Sequence, residues 1–242
     1  MIVKERSRVS MSHPDDLTRL RTEYEDRKKR FANSDVYSSF NAANLFTVQQ
    51  RQRDILASLK RAGVTGLADK RILEMGCGDG GVLAEFLTFG ARPQNLFGVD
   101  ILPDRLASAR GLLSGSPLAN ADGSHLPFPS ASFDIVMQFT ALSSILDADL
   151  RRAICRDMLR VLRPSGLILW YDFWLNPTNP QTHGIRPAEI RELFPAWSFS
   201  FRKITLAPPL ARRLVTLSWP FGLMLEWLTI FNSHYLAVIR PR

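Results

Sequence analysis

The chain has 242 residues, 45% hydrophobic and 22% charged, with a formal net charge of +8 and a pI near 10.0. That is enough apolar material for one large domain with a buried core, and the basic excess favours anionic partners unless it is only a solvated surface. Two cysteines, Cys77 and Cys155, with no C-x-x-C pair or Cys/His cluster, support neither a disulfide scaffold nor a zinc site and fit a reducing compartment.

The N-terminal stretch MIVKERSRVSMSHPDD is polar, is expected to be loose, and holds no apolar run of the kind a secretory signal needs, so a cytoplasmic location is expected. A charged helix is predicted from Asp16 to Arg30, where EYED followed by RKKR reads as an exposed helix rather than a nucleic-acid arm. Residues 37–63 lead into a second helix with an apolar stripe through Leu45, Val48, Gln52, Ile55, Leu56 and Leu59, stopped by Gly63. The period then changes. Strands are predicted at 71–76, 95–100, 117–123, 133–139 and 166–173, with helices at 80–90, 103–113 and 147–163 between them. In the last helix Asp147 or Asp149 caps the start, Leu150, Ile154, Met158 and Leu162 face inward, and Pro164-Ser165-Gly166 ends it. Such alternation implies an α/β fold with a parallel sheet and helices on both faces.

After Phe173 the rhythm breaks. The Pro- and Asn-rich stretch 174–187 reads as a loop, 187–195 as a short helix, and 198–208 and 233–241 as two strands. Between those strands lies an apolar insertion, 209–232. Pro220 and Glu226 interrupt it, which argues against a membrane span. A helical hairpin packed on the domain is one reading; an interfacial element beside Arg212 and Arg213, touching the inner face of a membrane, is the other.

The stretch ILEMGCGDGG, 72–81, carries the chemistry. Gly76, Gly78 and Gly81 satisfy G-x-G-x-x-G, which lets the main chain turn sharply and approach a ligand closely. The free N–H groups of the following helix suit a pyrophosphate or a carboxylate equally. Glu74 beside the loop would repel a pyrophosphate and suits a ligand bearing an ammonium group. Asp100, ending the second strand, is placed to take both hydroxyls of a ribose, which fits NAD as well. Asp122, in a loop after the third strand, is placed to accept from an adenine amino group.

Four motifs in order, E-x-G-C-G-x-G (74–80), VD (99–100), ADGSHLPFPSASFD (121–134) and LRVLRPSGLILW (159–170), resemble class I S-adenosylmethionine-dependent methyltransferases, in particular the type 11 small-molecule group. The resemblance is close over 70–173 and fainter over 37–63 and 186–241. It implies a Rossmann-like seven-stranded sheet, mostly parallel with the last strand antiparallel, closed by the 198–208 and 233–241 strands around the helical insertion. It also implies an N-terminal helical lid over 1–65, with Tyr37, Phe40 and Asn44 near the cofactor, ahead of a cofactor-binding domain over 66–242. By the same resemblance Glu74, Gly76, Cys77, Gly78 and Gly80 line the methionine part of S-adenosylmethionine. Asp100 holds the ribose, Ile101 meets the adenine face, Asp122 and Gly123 meet its edge, and Gln138 and Phe139 lie under the sulfonium end. Many relatives carry a histidine after the fourth strand; here that segment reads FTALSSILD, so no role transfers.

The implied reaction is an in-line displacement at an activated methyl group, helped by a base when the acceptor is a hydroxyl. The candidate bases are His183, His234 and Asp172, with Tyr171 beside the last. Each also reads as structural: a loop histidine in solvent, a histidine bonded to the backbone, an acid capping a turn. His125 falls in the adenine loop and His13 in the polar N-terminus, while Cys77 and Cys155 read as packed thiols; no metal is expected. QFTA replaces the N-P-P-F/Y motif of base amino-methyltransferases and no RNA-binding module is attached, so a nucleic-acid acceptor is disfavoured. The expected acceptor is a small molecule or a glycan- or lipid-linked intermediate methylated on oxygen. The alternatives are C- or N-methylation of a quinone or natural product, a non-catalytic cofactor-binding partner protein, and, more distantly, an NAD oxidoreductase.

Overall fold

The computed structural model describes residues 13–31, 34–176, 179 and 181–242; residues 1–12 and the His13 side chain, expected to be loose, lie outside the described residues. Two helices, α1 (His13–Phe31) and α2 (Ala42–Arg61), precede β1 (Ile72–Met75). Then come α3 (Gly81–Thr88), β2 (Leu96–Asp100), α4 (Pro103–Leu112), β3 (Leu118–Asn120) and β4 (Phe133–Phe139). The chain continues through α5 (Ala148–Val161), β5 (Leu162–Phe173), α6 (Pro187–Leu193) and β6 (Trp197–Leu206). It closes with α7 (Pro208–Leu214), α8 (Trp219–Trp227) and β7 (Asn232–Pro241).

The strands form one seven-stranded sheet in the order β3-β2-β1-β4-β5-β7-β6. The first five are parallel, and β7 runs antiparallel to both β5 and β6. Strand alternation splits the core in two. Ile72, Leu96, Met137 and Leu169 face α2, α3 and α4, while Leu73, Val99, Val136, Ile168 and Trp170 face α5 and α6. Each fully buried Leu or Ile contributes about 1.5–3 kcal/mol by leaving water, so strands buried on both faces read as continuous apolar runs. A third, smaller cluster joins Phe46 of α2 to Ala211, Val215 and Leu225 of the α7–α8 hairpin.

Two local expectations change. The stripe expected on α2 is turned: Leu45 and Leu56 are exposed, whereas Phe46, Gln50, Asp54 and Ser58 are buried with Ile55 and Leu59. Asp54 can be buried because Arg202 of β6 pairs with it at 3.0 Å. In the second change α5 passes straight into β5 at Leu162, ahead of the expected stop at Pro164. The register against β4 shifts between Phe133, opposite Leu162, and Ile135, opposite Leu167, so residues 163–166 bulge. At the start of α5 the cap is Asp147, which accepts from the Asp149 and Leu150 amides.

The carboxyl ends of β1, β2, β4, β5 and β6 share one edge of the sheet. The loops after β1, β2, β3 and β4 build the cavity there, and the α7–α8 hairpin rises from the same edge between β6 and β7.

Candidate active site

The loop after β1 is fixed by its neighbour. The Gly76 and Cys77 amides donate to the Val99 carbonyl at 2.8 and 3.0 Å, and the Gly78 amide donates to Asp100 Oδ2 at 2.8 Å. Gly76 has φ 72°, and a Cβ there would stand 2.6 Å from the Ala141 methyl, so the turn and the close approach of the next loop both require glycine. The other oxygen of Asp100, Oδ1, accepts from the Leu102 amide at 2.9 Å. Each carboxylate oxygen spends one lone pair on the backbone and keeps another for a ligand.

Glu74 stands under this loop, 1% exposed. Its Oε2 has no hydrogen-bond partner among the described residues. Burial, then the Glu85 carboxylate, push the Glu74 carboxyl well above the usual range, against Arg51. Arg51 is committed to Glu85 and lies 5.7 Å over the Tyr171 ring. Its carboxyl lies near Arg51 of α2 and Glu85 of α3, and Glu74 is not among the residues that line the cavity.

A cavity opens above β1 and β2. Met75 and Gly76 form its base, and Asp100, Ile101, Asp122 and Gly123 one wall. Asp122 Oδ1 accepts from the Ser124 amide and hydroxyl, both at 2.8 Å, which fixes its loop. Ala141, Ser144 and Ile145 form the opposite wall, and Leu20 and Tyr24 of α1 cover it. Helix α1 is tied down on that wall: Asp16 accepts from the Leu146 amide at 3.2 Å, and Arg19 donates to the Ser144 carbonyl and to Gln181 Oε1 at 3.1 Å. Arg105 pairs with Asp79 at 3.0 Å and lies 4.6 Å over the Tyr24 ring, so α4 holds α1 as well.

Of the sequence-predicted residues, Gly76, Asp100, Ile101, Asp122 and Gly123 meet at the cavity. Tyr37 does not: it is 57% exposed and packs edge-on against Phe31 with ring centroids 5.6 Å apart, while Phe40 points to solvent and Asn44 donates to the Ser38 carbonyl. The helix over the cavity is the earlier one, α1, because its Leu20 and Tyr24 stand at i, i+4 on one face. Gln138 and Phe139 lie below the cavity. Gln138 Oε1 accepts from the Ala141 amide at 3.1 Å and Phe139 packs on Tyr171 at 5.4 Å, so they shape the loop that forms the wall. Cys77 and Gly80 sit behind the loop; burial, then Glu74, push the Cys77 thiol up, and Gly80 caps α3 against Leu113.

The candidate bases separate. Asp172 is buried and accepts from the Ser143 amide at 3.0 Å and its neighbour Phe173 at 2.9 Å; burial raises it to about 6. His234 is buried, stacked on Tyr171 at 4.6 Å and bonded to the Ser233 hydroxyl; burial, then Arg51, push it down to about 3. It is therefore neutral at physiological pH and without access to solvent. His183 differs. Its amide donates to the Ser143 carbonyl at 2.7 Å, next to the cavity wall, and its Nε2 meets Glu189 Oε2 at 3.0 Å. Glu189 is buried enough to be pushed up, but His183 and then Arg151, at 3.1 Å, hold it below the usual range. No group of metal-ligating side chains occurs among the described residues.

Comparison with known proteins agrees with this geometry. Residues 73–170 match a family described as a methyltransferase domain. The chain is 35% identical over 122 residues to a phthiotriol/phenolphthiotriol dimycocerosates methyltransferase of Mycobacterium leprae, covering 50% of this chain and 43% of that protein. It is 33% identical over 105 residues to a fatty-acid O-methyltransferase of Mycolicibacterium smegmatis, covering 43% and 37%. The chain thus spans less than half the length of these relatives. In fold it is similar to a TehB-like S-adenosylmethionine-dependent methyltransferase from Corynebacterium glutamicum, with TM-score 0.55 and 15% identity over 93% of this chain and all of that one. Motifs, strand order and these matches agree: residues 73–170 match a methyltransferase domain, and the sheet has the fold of S-adenosylmethionine-dependent methyltransferases.

Proposed function

We propose that the protein methylates an oxygen of an apolar, lipid-like or lipid-linked acceptor. The observation that supports the cofactor half is Glu74, a buried acid two residues before Gly76 whose Oε2 has no partner among the described residues. S-adenosylmethionine supplies a methyl group already activated by its sulfonium. The chain's own residues bind and orient: Glu74 takes the ammonium, Asp100 the ribose hydroxyls, and Asp122 with Gly123 the adenine edge. Leu20 and Tyr24 of α1 exclude water from above. Holding donor and acceptor in line can supply several kcal/mol.

Two relatives named for lipid-like acceptors support the acceptor class. An oxygen acceptor needs a base, and we assign His183: its amide is bonded to Ser143, beside Ser144 of the cavity wall, while its ring lines a neighbouring pocket with Trp174 and Glu189. Glu189 fixes its Nε2, leaving Nδ1 to take the acceptor's proton, in the orientation logic of a base held by an acid. Asp172, spent on backbone amides, and His234, buried and neutral, serve structure.

Methyl transfer from labelled cofactor to a panel of fatty acids, long-chain alcohols, glycolipids, quinones and amines tests the reading. Transfer to a carboxylate or hydroxyl is expected. His183→Ala should lower kcat roughly a hundredfold while cofactor affinity is unchanged. Transfer only to an amine or a ring carbon would overturn the oxygen assignment. Tight cofactor binding with no transfer to any acceptor would favour a non-catalytic partner protein.

A further inference from the structure

Helix α8 is apolar on both faces. Gly222, Leu225 and Glu226 face the domain, where Leu225 packs with Phe46 and Val215. Phe221, Leu223, Met224, Trp227 and Leu228 face outward, with Trp227 81% exposed. Leu217 before the helix, and Ile230 and Phe231 after it, extend the same exposed surface. A helix on a soluble surface normally turns charged residues outward, and a contiguous apolar patch of this kind marks an interaction site. The charge of the hairpin says which kind. Between residues 207 and 232 the charged residues are Arg212, Arg213 and Glu226. Both arginines are exposed on α7 and the glutamate is buried, so the hairpin displays positive charge and apolar bulk with no exposed carboxylate.

We propose that the α7–α8 hairpin docks the protein on an anionic lipid bilayer, with Phe221, Met224, Trp227 and Ile230 seated among the acyl chains and Arg212 and Arg213 at the headgroups. This is an interfacial contact: no helix among the described residues is long and apolar enough to cross a membrane. Aromatic and aliphatic side chains with adjacent arginines are the chemistry of such elements. Because the hairpin rises from the sheet edge that carries the cavity, docking turns that edge towards the bilayer.

Flotation of the full chain with phosphatidylcholine vesicles, with and without phosphatidylglycerol, tests the proposal and needs no substrate. The protein should float with the anionic vesicles and bind less as salt rises. Met224→Glu/Trp227→Glu should weaken flotation roughly tenfold or more, since charge replaces apolar insertion. Arg212→Glu/Arg213→Glu should reduce binding to anionic vesicles only. Both variants should keep the parent's melting temperature and affinity for S-adenosylhomocysteine, which shows that they fold. Parent protein that stays with the unbound fraction, or a Met224→Glu/Trp227→Glu variant that floats like the parent, overturns the proposal. So does light scattering that shows a dimer which Trp227→Glu separates, because a second copy then covers the face.

Discussion

Glu74 sets a conflict between stability and binding. Its carboxyl is buried, its Oε2 has no partner among the described residues, and Glu85 lies close enough to repel its charge. Holding an uncompensated acid there costs the native state, a cost retained at sites that bind. With its folded pKa raised, Glu74 carries a proton that the unfolded chain releases, so native stability falls as pH rises through that range. Glu74→Gln should remove the loss and raise the melting temperature of the ligand-free protein by a few degrees near neutral pH, at roughly 2–4 °C per kcal/mol. The same variant should bind S-adenosylhomocysteine about tenfold or more weakly, since it loses a charge-assisted bond. A fall in melting temperature together with unchanged affinity would mean that Glu74 is an ordinary core residue. The acids of the site were legible in the sequence because each lies at or just beyond the end of a strand. Leu20, Tyr24 and Ala141 were not, because they reach the cavity through long-range packing that no local pattern encodes.

At the scale of elements, the α7–α8 hairpin is pinned by Glu226, whose Oε1 accepts from the Thr205 amide at 3.2 Å. Burial, then Asp54, raise Glu226 to about 7, against the pull of Arg53 and Arg202. Its ordinary value is 4.5, so between 4.5 and about 7 the native state holds a proton that the unfolded chain gives up. Stability from this group is therefore full below pH 4.5, is lost as pH rises to about 7, and stays low above. Glu226→Gln keeps the acceptor for Thr205 and should raise the melting temperature at pH ~8 by a few degrees with little change at pH ~4.5. Thermal scans at the two pH values check it, and an equal change at both would refute the assignment. The strands and α5 were legible because their burial follows a simple period. The buried face of α2 was not, because Asp54 is neutralised by Arg202, 148 positions further on.

Across the molecule, strand order explains why the acids converge. With β1 between β2 and β4, the carboxyl ends of three parallel strands bring Glu74, Asp100 and the Ala141 loop to one edge, the crevice where open α/β sheets bind ligands. The direction of the sheet and the closing β6–β7 pair followed from the family motifs; the identity of the covering helix did not, since α1 reaches the edge through Arg19 and Arg105. The central claim is that this edge receives the ammonium group of an amino-acid nucleoside on the Glu74 carboxylate. Calorimetric titration of S-adenosylhomocysteine, in buffers of different ionisation enthalpy, tests it most directly. One-to-one binding with net proton release, abolished in Glu74→Gln, is the predicted result, because the arriving ammonium drives the proton from Glu74. Binding of NADH in place of the nucleoside, or nucleoside binding with the same proton balance in parent and variant, would contradict it.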